Sequence, residues 1–338
     1  MNDRFLPRWL VATFAAIFMS AVLSVAAWAV ELPYFAFSAG PVGDAIDAIE
    51  VSSDRLEVYP PKGELFYLTV SLQEVNVYEA LAAGVDPTVD LVPVSLIRGP
   101  DESEEDFRRR GLEAMDTAKE NAIAVALDRV GMEAAVESDG VRVVELLEGA
   151  PSAAVLQPDD IIRAVDGRRV VLADDLREEL ADNAPGDRVV LTVERDGDVF
   201  DVEVELFASD DHPDRALIGI LAQTVNPRFP IEIETGNIGG PSAGMMYSLA
   251  IIDLLTPGDL TRGRVVAGTG TIDRSGKVGP IGGVRQKAVA AEAAGAEYML
   301  VPADNFEEAQ SAPIEDLILV PVSTIDDALA FFEGLADD

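Results

Sequence analysis

The first thirty residues differ in pattern from everything after them. Arg4 and Arg8 precede 22 positions, Trp9 to Val30, that carry no charge and no regular polar alternation. At about 1.5 Å per residue, a helix of that length spans a hydrocarbon core of roughly 30 Å, which predicts a transmembrane segment over residues 1–30. The run exceeds the apolar core of a signal peptide, about 7 to 15 residues, so a retained anchor is favoured although Ala27-Trp28-Ala29 fits a small-x-small cleavage site. Arginines ahead of the run place the N-terminus in the cytoplasm and the chain after residue 31 outside.

Beyond the anchor the pattern changes three times. Residues 31–133 hold apolar stretches such as Tyr34-Phe35-Ala36-Phe37 and a β-branched, aromatic strand over residues 65–70. A long polar loop follows, and then a helix with Leu112, Met115, Ala118, Ala122, Ala126 and Val130 at steps of three and four, ended by Gly131. Residues 134–207 read as short strands (141–147, 161 onward, 188–194, 199–206) with a helix over 174–180; Asp166-Gly167 and Asp196-Gly197-Asp198 mark hairpins. Residues 208–338 alternate strand and helix, with helices expected from Ser242 to Leu255, Val284 to Ala294 and Thr324 to Leu335, and strands at 216–221, 229–234, 264–272, 298–301 and 317–322. The class is α/β with a β-rich unit inside it.

Composition narrows the chemistry. The chain has 61 acidic against 25 basic residues, a formal charge of -36, and phosphate repulsion makes nucleic acid an unfavourable partner. Cysteine is absent, which removes disulfides and zinc-thiolate sites; no metal or cofactor is expected. Only one histidine occurs, His212 in the polar stretch Asp210-Asp211-His212-Pro213-Asp214, so a Ser-His-Asp site is improbable.

A serine on a glycine-flanked turn leading into an apolar helix, Gly239-Gly240-Pro241-Ser242-Ala243-Gly244, is a candidate nucleophile that needs a base. Four lysines exist, Lys62, Lys119, Lys277 and Lys287, and Lys287 stands out because Gly282-Gly283 opens an alanine-rich helix around it. An ordinary lysine is charged at neutral pH and accepts no proton, whereas burial among residues such as Ile281, Val284, Ala288 and Ala291 favours the neutral amine. Pro241 lacks an N–H, so the amides of Ser242 and of Gly239 or Gly240 are the candidates to stabilise an oxyanion. Taken singly, Ser242 is equally readable as a helix cap and Lys287 as a solvated helix residue.

Two resemblances give these motifs a context. Residues 134–207 resemble a PDZ domain of the exported bacterial type in Gly140-Val141-Arg142-Val143, Gly149-Ala150-Pro151-Ser152-Ala153, Asp160-Ile161-Ile162 and Arg195-Asp196-Gly197, with Asp159 where the family has glycine. The resemblance implies peptide binding by strand addition, with Gly140, Val141, Arg142 and Val143 as candidate contacts. Residues 239–335 resemble the Lon protease domain in Gly-Pro-Ser-Ala-Gly, Thr269-Gly270-Thr271-Ile272 and Val278-Gly279-Pro280-Ile281-Gly282-Gly283-Val284-Arg285-Gln286-Lys287. The order of segments resembles exported, membrane-anchored PDZ-Lon proteases. That resemblance implies a Lon-type, ribosomal-S5-domain-2-like α+β fold with the PDZ unit inserted, Ser242 as nucleophile, Lys287 as base, Thr269 as a hydroxyl orienting the base, and a homo-oligomer, a ring of six. Gly239 departs from the acidic residue usual in Lon.

The expectation is an ATP-independent Ser-Lys endopeptidase acting on exported or membrane-associated proteins. Gly270 to Lys277 fails as a phosphate loop, because five residues separate its glycines and Val278 replaces the required Ser or Thr. The alternative is a non-catalytic, membrane-tethered PDZ adaptor on a Lon-like scaffold. A signal-peptidase-like Ser-Lys enzyme fits worse, since its serine lies close to the anchor in sequence.

Overall fold

A computed structural model describes residues 8–51, 56–99, 102–132, 137–209 and 212–335. Its largest sheet has six strands in the order 318–322, 298–302, 265–268, 64–76, 31–44 and 90–93. The first four run parallel; the pairings 64–76 with 31–44 and 31–44 with 90–93 are antiparallel. Alternation along the strands builds two cores, because successive side chains point to opposite faces. Leu65, Tyr67, Val266, Leu300 and Val322 join one core, with the long helix Glu104–Arg129 and the helix Gly244–Leu255. Leu68, Ala267, Met299 and Val301 join the other, with the helix Val284–Ala293. Burial on both faces explains why these strands read as near-continuous apolar runs.

Three local expectations change. The polar loop after residue 76 is structured: Asn76 accepts from the Tyr78 and Glu79 amides and Glu79 returns a bond to the Asn76 amide, a capping box that starts the helix Val77–Ala83. The edge strand Asp90–Pro93 and the short helix Val94–Ile97 follow. The long helix begins at Glu104, capped by Ser103, well before Leu112. The helix expected from Ser242 begins at Gly244, leaving Ser242 and Ala243 in the turn before it.

At the N-terminus, Arg8–Ala29 is a helix of 22 residues with apolar side chains exposed on all sides, among them Phe14, Phe18, Leu23 and Trp28. Residues 1–7 lie outside the described chain, as do the side chains of residues 8–12 and 15. Among the described residues no helix is long and apolar enough to cross a membrane.

A second sheet, in the order 220–224, 141–146, 161–165, 188–195 and 198–205, encloses its own core of Val141, Val143, Ile162, Leu191, Val193 and Val204. The strand Ile220–Thr224, expected in the catalytic part, pairs with Val141–Leu146 here and forms the sheet edge. The hairpin 207–209 with 212–217 precedes it and carries His212; Asp210, Asp211 and the expected boundary at 133–134 lie outside the described residues. Where the chain enters and leaves this unit, Glu137 and Arg228 exchange two backbone hydrogen bonds of 3.1 and 2.7 Å, and Asp139 N–H reaches Val225 O at 2.8 Å. The inserted unit meets the larger one at a polar joint. Asn121 Nδ2 donates to Asp174 Oδ2 at 2.6 Å and to Ile272 O at 3.3 Å, and Arg274 pairs with Asp175 at 2.9 Å.

Separate cores predict separable stability effects. Leu191→Ala should loosen amide protection within 141–205 and Leu65→Ala within the larger sheet, each by about 2–5 kcal/mol, the range for a buried leucine. Hydrogen-exchange mass spectrometry checks this; loss of protection spread equally over both units in either variant would contradict it.

Candidate active site

The turn holding Ser242 is shaped by its glycines. Gly240 has φ +95°, a left-handed conformation that other residues rarely adopt, and its N–H donates to Gly111 O at 2.7 Å. Gly239 lies against the backbone of Gly111, and a Cβ there would stand 3.1 Å from Gly111 C, so the acidic residue usual in Lon would push on the long helix. Because its N–H is taken, Gly240 drops out as an oxyanion donor. Among the described residues the Gly239 and Ser242 amides have no backbone acceptor. Gly111 was not singled out from sequence; the available signal was a glycine inside a helical pattern, where it costs about 1 kcal/mol relative to alanine.

Lys287 reaches this turn from the other side of the sheet. Its helix starts after Gly283, φ +68°, where a Cβ would collide with Phe37 at 2.4 Å; that close approach lets the helix sit against the strand 31–44. The Lys287 side chain is 1 % exposed and its Nζ lies 2.7 Å from Ser242 Oγ and 2.9 Å from Thr269 Oγ1. Thr269, fully buried just past the end of strand 265–268, donates its hydroxyl to Ser242 O at 3.0 Å. Its oxygen is thereby oriented to accept from Nζ. Gly270 N–H also donates to Ser242 O, at 2.7 Å, so the nucleophile turn and the strand end are tied twice.

Burial pushes the Lys287 amine down to about 7, and among the described residues no carboxylate offsets that loss of hydration. A neutral amine in this position has a lone pair that accepts the Ser242 hydroxyl proton, the requirement for a serine nucleophile without histidine. The two groups open onto a cleft of about 890 Å³, lined by Phe35, Leu72, Phe107 and Ile238 among others. Gly270 to Lys277, the phosphate-loop imitation, folds instead as a hairpin, Thr271–Ile272 paired with Val278–Gly279.

The peptide-binding expectation needs correction. Gly140, Val141, Arg142 and Val143 enter the strand Val141–Leu146, which is paired on both sides, by 161–165 and 220–224, and has no free edge to offer. Asp198–Glu205 is an edge strand of this sheet, as is Ile220–Thr224 at its other end. A groove of about 450 Å³ runs there, between residues 215–222 and the helix Ala173–Glu179. The signal missed was Ile218-Gly219-Ile220, a glycine with φ +83° inside an apolar run.

Comparison with known proteins gives two matches within the chain. Residues 230–332 match the Lon protease (S16) C-terminal proteolytic domain and residues 129–206 match the PDZ domain. The chain is similar to a Lon protease of Methanosphaera stadtmanae, 36 % identical over 112 residues that make up 31 % of this chain and 13 % of that protein. It is likewise similar to a Lon protease of Methylocella silvestris, 42 % identical over 101 residues, 29 % of this chain and 12 % of that one. A solved PDZ domain of an SdrC-like protein from Listeria monocytogenes is 24 % identical over 25 % of this chain and 87 % of its own, with a TM-score of 0.23. The chain spans only a small part of the length of the Lon relatives it matches. It carries a Lon protease C-terminal proteolytic domain and, inserted ahead of it, a PDZ domain.

Proposed function

We propose that the protein is an ATP-independent serine endopeptidase in which Ser242 is the nucleophile and Lys287 the general base. The observation that carries this reading is an amine 1 % exposed and 2.7 Å from a serine hydroxyl, in a setting where burial pushes its pKa down. Nζ takes the Ser242 proton as Oγ attacks the peptide carbonyl, and the Ser242 and Gly239 amides face the developing oxyanion. The protonated amine then returns its proton to the leaving nitrogen, and water, deprotonated by the same amine, hydrolyses the acyl-enzyme. Thr269 holds Nζ on the side of Oγ throughout. The PDZ domain presents or gates protein substrates. We further propose that the N-terminal segment anchors the protein in a membrane with the catalytic part on the extracytoplasmic side, supported in the sequence by the uncharged run Trp9 to Val30 and the arginines before it, and by the exposed side chains of Phe14, Phe18, Leu23 and Trp28. A homo-oligomer, a ring of six, accompanies this reading.

A serine-reactive fluorophosphonate probe tests the core of the reading. Labelling should vanish in Ser242→Ala and fall by about 100-fold or more in Lys287→Arg, since guanidinium stays protonated; His212→Ala should label normally. Thr269→Val should slow labelling by about tenfold, the scale of one hydrogen bond. Substantial labelling of Lys287→Arg, or its loss in His212→Ala, would show that another base operates.

The pH dependence has a definite sign. The amine is the active base form above its folded pKa of about 7, so the wild-type labelling rate should climb through pH 7 and level off. Stability follows the same group: its folded pKa lies below the unfolded value, so the folded state binds fewer protons and stability rises with pH between about 7 and the unfolded lysine value of about 10.4. Lys287→Met should therefore melt higher than wild type at pH 6 while being inactive. An unchanged or lower melting temperature at pH 6 would argue against a strained buried amine.

A further inference from the structure

The groove of the PDZ domain has a charge that the rest of the chain does not. Among 61 acidic and 25 basic residues overall, the residues lining this groove include Arg177 and Arg215 and no aspartate or glutamate. Arg177 stands on the helix wall and Arg215 on the strand that leads into the edge strand Ile220–Thr224. The two guanidiniums oppose each other: burial and, after it, the charge of Arg215 both hold Arg177 below its ordinary value. Arg177 pairs with Asp174 Oδ1, one turn earlier on its own helix, while Asn121 donates to Oδ2 of the same carboxylate. Among the described residues no carboxylate lies within ion-pair distance of Arg215. Two cations line one groove, and Asp174, the carboxylate paired with Arg177, lies outside that lining. The ordinary account of exposed arginines, solvation, does not explain why a groove in a strongly acidic chain is lined by two arginines and by no carboxylate.

We propose that the groove selects extended peptides bearing an aspartate or glutamate side chain, which lies between Arg177 and Arg215 while the peptide backbone adds to the edge strand Ile220–Thr224. This deepens the PDZ reading and rests on it. Charge-assisted hydrogen bonds to guanidinium are about twice as strong as neutral ones, and a carboxylate between two arginines removes their mutual repulsion as well. The field of a chain at -36 repels acidic peptides elsewhere, so the preference is local and depends on these two side chains. The peptide's own terminal carboxylate offers the same chemistry from another source, and the test separates the two.

Full-length Ser242→Ala protein, which cannot turn over its ligand, is used to select from a library of random heptapeptides displayed with free C-termini. Expected is enrichment of aspartate or glutamate at one or two positions, lost when Arg177→Gln and Arg215→Gln are combined. The best synthetic peptide is then compared by fluorescence polarisation with its Glu→Gln (or Asp→Asn) form and with its C-terminal amide. The acidic side chain should be worth about tenfold in Kd, shrinking at high salt, and should keep that advantage in the amide. Equal binding of the acidic and neutral forms overturns the proposal and leaves the PDZ reading intact. An advantage that disappears in the amide assigns the arginines to the terminal carboxylate alone and likewise overturns it. If no peptide binds under any condition, the PDZ reading falls and the proposal with it. The wild-type comparison of acidic and neutral peptides needs no arginine variant, so a variant that misfolds does not obscure the result.

Discussion

An ammonium group that must give up its water is the constraint around which the larger unit is organised. Lys287 is 1 % exposed and, among the described residues, has hydroxyls and no carboxylate for company. An acidic partner would favour the charged amine, so an amine held neutral here needs surroundings that are both apolar and free of carboxylates. The surrounding architecture answers that need. Helices on both faces seal the sheet, the end of strand 265–268 delivers Thr269, and the Ser242 carbonyl is tied by both Thr269 and Gly270. The energy to keep such a group buried comes from the two apolar cores on either side of the strands, which are far larger than the site itself.

How much of this was legible in the sequence depended on whether a residue's role was local. Strands 298–302 and 318–322 and the helix Val284–Ala293 follow from period and composition, and the pairing of Ser242 with Lys287 follows from the shortage of other bases. The Asn76–Glu79 capping box is equally local, a two-residue signal that starts a helix of only seven residues. Other features had no local signature. Gly111 accepts from Gly240 across more than a hundred residues of chain, and nothing in its neighbours says so. Strand 141–146 carries the PDZ resemblance, yet whether it lies at the edge or inside the sheet is decided by 220–224, a segment beyond the residues that suggested the domain. Register and edge position are properties of the assembled sheet.

The joint between the two units joins the same elements that form their sites. The helix Ala173–Glu179 is a wall of the PDZ groove, and its residues Asp174 and Asp175 hold Asn121 and Arg274 of the larger unit. Asn121 also holds the carbonyl of Ile272, three residues after Thr269. Thr224, at the end of the groove's other wall, accepts from the amide of Ala173. Groove and cleft are thus neighbours through polar contacts at fixed distances, and the orientation of one relative to the other is set by groups that belong to both.

The paired backbone bonds of Glu137 and Arg228 bear on how such a chain assembles. A flexible excursion of roughly ninety residues between two parts of one core would impose a closure entropy of about 4 kcal/mol on the host fold. Here the excursion begins and ends in one short antiparallel ladder, so the host core meets a closed stem in place of a long slack loop. Once the inserted unit has folded, the two halves of the larger unit are held at near-contact separation before they have formed any contact of their own. An insertion that looks like an interruption in the linear sequence acts, during folding, as a tether that shortens the search.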